Sequence, residues 1–485
     1  MFNKYRLKLA CLGMLLGLAI IAQASERRFN VLFVISDDLT ANALSCYGNT
    51  VCKTPHIDAL AAGGVKFTKA YCQATFCGPS RASFLSGYYP HATGVIGYIS
   101  PRKAIGKRAT WPQYFKNNGY HTTRISKIYH MGVPRGIERG SNGADDPISW
   151  SQRFNSQGPE WKAPGQGQTL ENNPNGKKPV MGGNTFVYVK ADKGDLFHSD
   201  GKTAAKASQL LHEYKKSGKP FFLAVGFVRP HVPFVAPKKY YKNFKFNAMV
   251  LPKKIKGDWA DIPRAGINYK TSKNMQMDLL KQKKAVASYY ASVTYIDAML
   301  GKIMHTLKET GLDKNTIVIF TSDHGYHLGE HDFWAKVSLH EESTQVPLII
   351  KVPGKRPAIC HSLVELIDLY PTLAKLCALK KQPRLQGKDI SPLLDNPLLE
   401  VRQRIFCING KGFLLRTKKW AYIAYGRDGS AAKELFDMEK DPHQYTNLAK
   451  KNKYQKLVAA FQKKLKTKLK KVRSNDLSNA QQQKK

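Results

Sequence analysis

Residues 77 to 81 read Cys-Gly-Pro-Ser-Arg, and Ala-Ser-Phe-Leu-Ser-Gly follows. Gly78 and Pro79 favour a turn that enters a helix, because proline is tolerated in the first helical turn. Cys77 then stands at the helix N-terminus, where free backbone N–H groups and the dipole favour an anion. Arg81 falls on the same face four residues on, and its planar fork suits a tetrahedral oxyanion. A nucleophile beside an anion site is one reading of this run; a cysteine that only packs is the other. Two acidic pairs stand elsewhere, Asp37-Asp38 and the Asp323-His324 of a Thr-Ser-Asp-His-Gly run. Clustered carboxylates suit a hard cation such as Ca2+, although either pair alone could be a cap or a turn. Three more segments carry groups that bind anions or move protons: Lys127 with His130, His231 between Pro230 and Pro233, and Lys336 after Trp334-Ala335. A single histidine or lysine of this kind is as readily structural.

Such residues need a frame that gathers them. Residues 30 to 36 (NVLFVIS), 220 to 227 (PFFLAVGF) and 316 to 321 (TIVIFT) are continuous apolar runs. Runs without alternation suit strands covered on both faces, as in a parallel sheet. Residues 203 to 216 and 281 to 310 show helical periodicity and supply crossover helices, so the fold class is α/β. In open α/β sheets ligands bind beyond the carboxyl ends of strands, and each acidic pair closes one. Residues 134 to 193 are rich in Gly, Asn and Pro with little periodicity, which predicts a long functional loop. Past residue 397 short strands are expected around 404–408, 411–417 and 420–425, then a basic helix. The expectation is a catalytic domain over 25–397, a small α+β subdomain over 398–473 and a disordered basic tail over 474–485. No internal repeat is visible.

Residues 1 to 24 read as an export signal: Lys4, Arg6 and Lys8, an apolar run from 9 to 22, then Ala22-Gln23-Ala24. The run is short for a membrane span. Cys11 admits a lipoprotein reading, but it precedes most of the apolar run. No later stretch is long and apolar enough to cross a bilayer, so a soluble periplasmic or secreted protein is expected. The formal charge is +42, with 77 Lys and Arg against 35 Asp and Glu. That surplus points to polyanionic partners, sulfated polysaccharide or nucleic acid; solvated lysine-rich faces account for it equally well, and charge alone speaks for nucleic acid. Among the eight cysteines, Cys46 and Cys52 form the most plausible disulfide in an exported chain, with the connectivity open.

The run CGPSRASFLSG resembles the C-x-P-S-R signature of type I sulfatases, in the alkaline-phosphatase-like superfamily. Cysteine, proline, serine, arginine and the distal glycine all match. The resemblance covers most of the chain after the signal. Asp145-Asp146 with Ser149-Trp150-Ser151, the PFFLAVGF and RPHVPF pair and the helix over 288–303 look like the iduronate 2-sulfatase branch, while Leu435-Phe436-Asp437 with Asp441-Pro442 and Asn447-Leu448-Ala449 resembles the family's C-terminal subdomain. It implies a large, mostly parallel sheet sandwiched by helices, with a smaller C-terminal α+β subdomain. It implies that a formylglycine-generating maturation enzyme oxidises Cys77, and that the hydrated aldehyde attacks sulfur. One Ca2+ would sit on Asp37, Asp38, residue 77, Asp323 and His324; the histidine departs from the asparagine of many sulfatases and matches the iduronate branch. Lys127, Lys336 and Arg81 would hold the sulfate, His130 would act on the formylglycine hydroxyl, and His231 would protonate the leaving alcohol. Asp146, Trp150, His327 and Trp334 are candidates for the sugar pocket, with packing roles equally open. The departures fall at 152–195 and 338–341, where substrates differ. The implied substrate is a sulfated carbohydrate, a glycosaminoglycan or other sulfated polysaccharide or oligosaccharide, with a 2-O-sulfated uronate among the options. Two other readings stand beside it: a phosphodiesterase or phosphonate monoester hydrolase of the same superfamily, and a non-catalytic sulfoglycan-binding protein should Cys77 stay unmodified. No nucleic-acid partner is expected, and the oligomeric state is open.

Overall fold

The computed structural model describes residues 28–172, 184–410, 412–475 and 477. The export signal over 1–24 and nearly all of the 474–485 tail lie outside the described residues.

The three continuous apolar runs form the middle of one sheet. Strand β1 (Asn30–Asp37) is buried along its whole length, and it pairs in parallel with β7 (Phe221–Pro230) and β9 (Thr316–Ser322). A strand covered on both faces has no solvent side, so its sequence needs no polar alternation. The pleat still divides its side chains between two cores. Leu32 and Val34 enter one, built with α1 (Pro55–Ala62), α4 (Ser199–Ser217) and α5 (Leu279–Glu309). Val31, Phe33 and Ile35 enter the other, with α2 (Cys77–Ser86), α3 (Trp111–Asn117) and α6 (Leu369–Leu376). Each fully buried Leu, Ile or Phe here contributes about 1.5–3 kcal/mol relative to exposure, so the centre of the sheet is the most strongly held part of the molecule.

The full sheet runs β13 (Ala358–Cys360), β2 (Val65–Tyr71), β12 (Gln345–Lys351), β9, β1, β7, β3 (His121–Ser126), β4 (Gln152–Phe154), with β14 (Val364–Glu365) also on β2. Only β12 runs against its neighbours. Register then fixes where the chemistry emerges. Ser36 lies beside Ser322, Asp37 beside Pro230, and Ser126 beside Gly226. Asp37-Asp38, Asp323-His324, Lys127 and His231 therefore leave the sheet at one carboxyl edge.

The stretch 134–193 differs from the single aperiodic loop expected of it. Besides β4 it carries β5 (Gly165–Thr169) and β6 (Val187–Ala191), an antiparallel pair extended by β8 (Phe234–Pro237). Strand β5 reads Gly-Gln-Gly-Gln-Thr, which has no apolar side chain to betray a period. Between β9 and β12 lies a small antiparallel pair, β10 (His327–Leu328) and β11 (Trp334–Ala335). The C-terminal unit is a four-stranded antiparallel sheet of β15 (Ile405–Asn409), β16 (Gly412–Arg416), β17 (Trp420–Tyr425) and β18 (Ala432–Asp437); the last of these escaped the sequence reading. Helix α7 (Gln455–Arg473) lays Val458, Phe461, Leu465, Leu469 and Val472 on it, one apolar stripe at helical spacing with lysines outside. Among the described residues no helix is long and apolar enough to cross a membrane.

Cys46 and Cys52 are not bonded to each other, and no disulfide joins any described cysteines. The Cys52 thiol is turned to the backbone of Tyr290 and the Thr294 hydroxyl on α5. Cys46 stays on its own turn, where its N–H donates to Asp58. Spacing placed the two close in sequence, but packing points them to different environments.

Candidate active site

The turn after β1 is held from three sides. Asp38 adopts a left-handed conformation (φ 63°), which a short acidic side chain tolerates. The Tyr289 hydroxyl donates to the Asp38 carbonyl (2.6 Å) and accepts from the Thr40 N–H (2.9 Å). The Asp38 N–H donates to Asp323 Oδ1 (3.2 Å), and the Leu39 N–H to Ser322 Oγ (2.9 Å). Tyr289 was not singled out in the sequence; the signal was a tyrosine inside the apolar face of a long helix, which reads as core. Tyr289→Phe strands two buried backbone groups, so it is expected to lower stability by roughly 1–3 kcal/mol. A denaturant midpoint equal to wild type would contradict this.

Cys77 opens α2, all ten residues of which are buried. The helix ends at Gly87, whose φ of 80° favours glycine and whose side any Cβ would share with Leu385. Arg81 is spent inside the cluster. Its Nε donates to Asp323 Oδ2 (2.9 Å), Nη2 to Asp37 Oδ1 (3.1 Å) and Nη1 to the carbonyls of Ile128 (3.0 Å) and Lys127. The fork expected to meet an oxyanion thus ties two carboxylates and one loop into a rigid unit. Lys127 Nζ bonds Asp37. Lys336 Nζ bonds both oxygens of Asp38 (2.6 and 2.8 Å) and lies 3.5 Å from Cys77 Sγ.

The segment that aims Lys336 is strained. Ala335 and Val337, on either side of it, have φ of 64° and 79°, a region that β-branched valine rarely enters. Two bonds hold it there: the Val337 N–H donates to the Thr75 carbonyl (3.1 Å), and Asn409 Nδ2 donates to the Val337 carbonyl (2.9 Å). The C-terminal unit thereby reaches the site through β15.

His324 carries the clearest sign of an ion position. Its Nδ1 lies 2.9 Å from the Gly325 carbonyl, which places the proton there and leaves the Nε2 lone pair free. That lone pair faces Asp38 Oδ1 (3.3 Å), Asp323 Oδ2 (3.6 Å) and Cys77 Sγ (3.3 Å). An imidazole nitrogen and carboxylate oxygens converging at such distances suit an intervening cation. One ligand atom each from Asp37, Cys77, Asp323 and His324 lies within 4.8 Å of the others, and the same holds for Asp37, Asp38, Cys77 and His231. An oxygen-rich set with a single imidazole fits a hard divalent ion.

Electrostatics sort the groups. Burial would raise the Asp37 carboxyl, but Lys127 and Arg81 beside it hold it well below the usual carboxylate range. Burial pushes Asp38 up even with Lys336 on it. Burial opposes the charge of Lys336, yet Asp38 and Cys77 outweigh it and hold the ammonium well above its ordinary value. Burial, helped by Asp37, pushes the Cys77 thiol well up, so an unmodified Cys77 is a poor nucleophile.

Both candidate catalytic histidines are pushed toward the neutral form. Burial pushes His231 well down, and Lys336 and Lys127 push it further. Its Nδ1 is on the Val232 carbonyl and its Nε2 is 3.8 Å from Asp38 Oδ2. Its loop is anchored by Asp200, which accepts from the N–H groups of Val228 (2.7 Å) and Arg229 (2.9 Å), and by Arg229, which donates to the His231 and Pro233 carbonyls (both 2.6 Å). Neither anchor was predicted; an aspartate in the first turn of α4 looks like a helix-start residue. His130 is pushed down to about 2 by burial and by Lys127, and its ring stacks on Tyr98 at 4.0 Å.

The four candidate sugar contacts are buried and hold partners inside the fold. Asp146 and Trp150 are 1% and 4% exposed, His327 and Trp334 are 0%. Asp146 binds Arg102 (2.9 and 2.6 Å), and the Trp150 indole N–H donates to Asp145 (3.0 Å). His327 Nε2 is 2.7 Å from Ser338 Oγ, and Trp334 packs edge-on against Phe186. Each of the four thus has a packing or ion-pairing role within the fold.

The sulfatase family profile matches residues 29–378, and the profile of the N-sulphoglucosamine sulphohydrolase C-terminal region matches 329–474. Human iduronate 2-sulfatase is 34% identical over 77% of this chain and 74% of its own length. Among solved structures, a protein in complex with its substrate D-glucosamine-2-N,6-O-disulfate superposes with a TM-score of 0.70 at 20% identity, covering 93% of this chain and 99% of that one. The phosphonate monoester hydrolase of Agrobacterium radiobacter gives 0.74 at 22% identity, covering 92% and 96%. At those identities the solved structures speak for the fold. With a profile spanning most of the chain and a relative of this closeness, the chain belongs to the sulfatase family.

Proposed function

We propose that this sulfatase releases sulfate from a sulfated carbohydrate, a glycosaminoglycan or related polysaccharide or oligosaccharide, with a 2-O-sulfated uronate among its candidate esters. The observation that carries the reading is the convergence of Cys77, two lysines, an arginine and a carboxylate–imidazole cation set in one buried cluster at the sheet's carboxyl edge. The likeness to an enzyme named for iduronate and the +42 charge support a sulfated glycan over a neutral ester.

In this reading Cys77 is matured to formylglycine by a dedicated enzyme, and Asp37, Asp38, Asp323 and His324 hold one Ca2+. When present, the aldehyde hydrate supplies the nucleophile and the cation polarises sulfate oxygens. The chain's own residues do the rest. Lys127 and Lys336 present permanent positive charge where sulfate oxygens gain negative charge in the transition state. Arg81 fixes the spacing of Asp37 and Asp323. His231 offers Nε2 to the leaving oxygen; the arriving sulfate anion favours its protonation, which the free site opposes, and the transferred proton stabilises the departing alcohol, worth about 10²–10⁴-fold. His130 would act as the base on the residue 77 hydroxyl once a bound sulfate offsets the burial and the Lys127 charge that hold its basicity down. Export by the N-terminal signal, to the periplasm or beyond, places the enzyme with polymeric substrates.

The test is sulfate release from a panel of sulfated saccharides, run beside aryl phosphate and phosphonate esters. Preference for the phosphorus esters would overturn the reading in favour of a phosphonate monoester hydrolase; tight saccharide binding without release would favour a binding protein. Chelation is expected to remove activity and lower Tm, with Ca2+ restoring both; a chelator without effect on either would sink the cation assignment.

A further inference from the structure

Tyrosine is mostly a core residue in this chain. Of all the tyrosines among the described residues, only Tyr98 and Tyr269 are substantially exposed, at 52% and 41%, and both stand at the cluster. Tyr98 packs against the start of α2. A Cβ on Gly78, next to Cys77, would lie 2.9 Å from Tyr98 Cδ1 and 2.4 Å from the Gly97 carbonyl, so glycine at 78 is what lets this ring approach the nucleophile position. One face of the ring stacks on His130, and Phe76 meets it edge-on at 5.9 Å. Tyr269 comes from the opposite side of the chain's order and is tied to the segment before Lys336. Asn268 Nδ2 donates to the Trp334 carbonyl (3.3 Å), and the Trp334 N–H donates to the Lys270 carbonyl (3.0 Å). The charges of Lys336 and Asp38 act on both hydroxyls, and Tyr98 acts on Tyr269.

Two exposed rings beside one buried charged cluster offer flat apolar surface next to it. Pyranose rings carry an apolar C–H face and polar edges, and tyrosine matches them with a flat ring and a hydroxyl. We propose that Tyr98 and Tyr269 flank the mouth of the site and grip the sugar ring that bears the sulfate, stacking on its apolar face and hydrogen-bonding its substituents, and so set which glycan is accepted. The inference rests on the reading of the substrate as a sulfated carbohydrate. It makes the two tyrosines binding residues for the sugar, distinct from the groups that hold sulfate.

The experiment compares Tyr98→Ala, Tyr98→Phe, Tyr269→Ala and wild type on a sulfated disaccharide that the wild type cleaves. KM and kcat are measured separately, with inorganic sulfate as a competitive inhibitor. Both alanine variants are expected to raise KM at least tenfold while the inhibition constant of sulfate stays within threefold. Tyr98→Phe keeps the ring and is expected to recover most of the loss. Tyr269→Ala keeps the inference testable should Tyr98→Ala disturb His130. Wild-type KM in both alanine variants, or sulfate inhibition weakening in parallel with KM, would overturn it. A wild type that cleaves aryl sulfates but no saccharide would remove the substrate reading and this inference together; saccharide turnover with unchanged alanine variants would remove only the inference.

Discussion

Cys77→Ala is expected to abolish sulfate release, by at least ~10³-fold, because the nucleophile is lost outright. The fold should survive. Cys77 is 1% exposed and its thiol makes only weak contacts, with His324 at 3.3 Å, Lys336 at 3.5 Å and Asp38 at 3.9 Å. Deleting the sulfur leaves a small void costing about 1 kcal/mol, and α2 remains held by Arg81 and Ser80. The paired measurement is peptide mass across residue 77 in protein from a host with the maturation enzyme. Formylglycine is lighter than cysteine by about 18 Da. Activity in the alanine variant, or full activity with Cys77 unmodified, would end the mechanism.

Lys336→Ala is the second large effect. Removing one positive group aimed at developing charge typically costs about 10²–10³-fold in rate, and Lys336 is the ammonium closest to residue 77. It also neutralises Asp38. Three carboxylates, Asp37, Asp38 and Asp323, face three permanent cations, Lys127, Lys336 and Arg81. Without Lys336 the site carries surplus negative charge, and a buried ion that has lost its partner is destabilising by about 3–5 kcal/mol. A divalent cation can take up that surplus. Ca2+ should therefore raise the variant's Tm by more than the wild type's, while activity stays low at any Ca2+ concentration. Restored turnover at high Ca2+ would show that Lys336 serves Asp38 and not the sulfate.

Much of the frame was legible because its physics is local. Short continuous apolar runs suit strands covered on both faces, and the three that were read became β7, β1 and β9 side by side. Gly-Pro after Cys77 marked a helix start, and α2 begins there. The C-terminal strands were found by their apolar content, except β18, whose Ala-Lys-Glu-Leu-Phe-Asp mixes charge into the strand. Strand β5 escaped for the opposite reason: glycine and glutamine carry no pattern, and it exists because β6 offers it hydrogen bonds.

The site divides along the same line. Residue types and their places at strand ends were determined by the sequence itself, because an acidic pair after a buried strand has to leave the sheet at its carboxyl edge. Whether those edges met was decided by register, which set Asp37 beside Pro230 and Ser36 beside Ser322. Only the tertiary structure could show that Arg81 is tied to carboxylates and loop carbonyls, that His324 Nε2 faces those carboxylates, and that Asp146, Trp150, His327 and Trp334 are buried against partners of their own. Polarity and aromaticity do not say which way a side chain faces; burial is a property of what packs against it. Tyr98 and Tyr269 make the same point from outside, since two tyrosines 171 positions apart come beside one charged cluster only after the chain has folded.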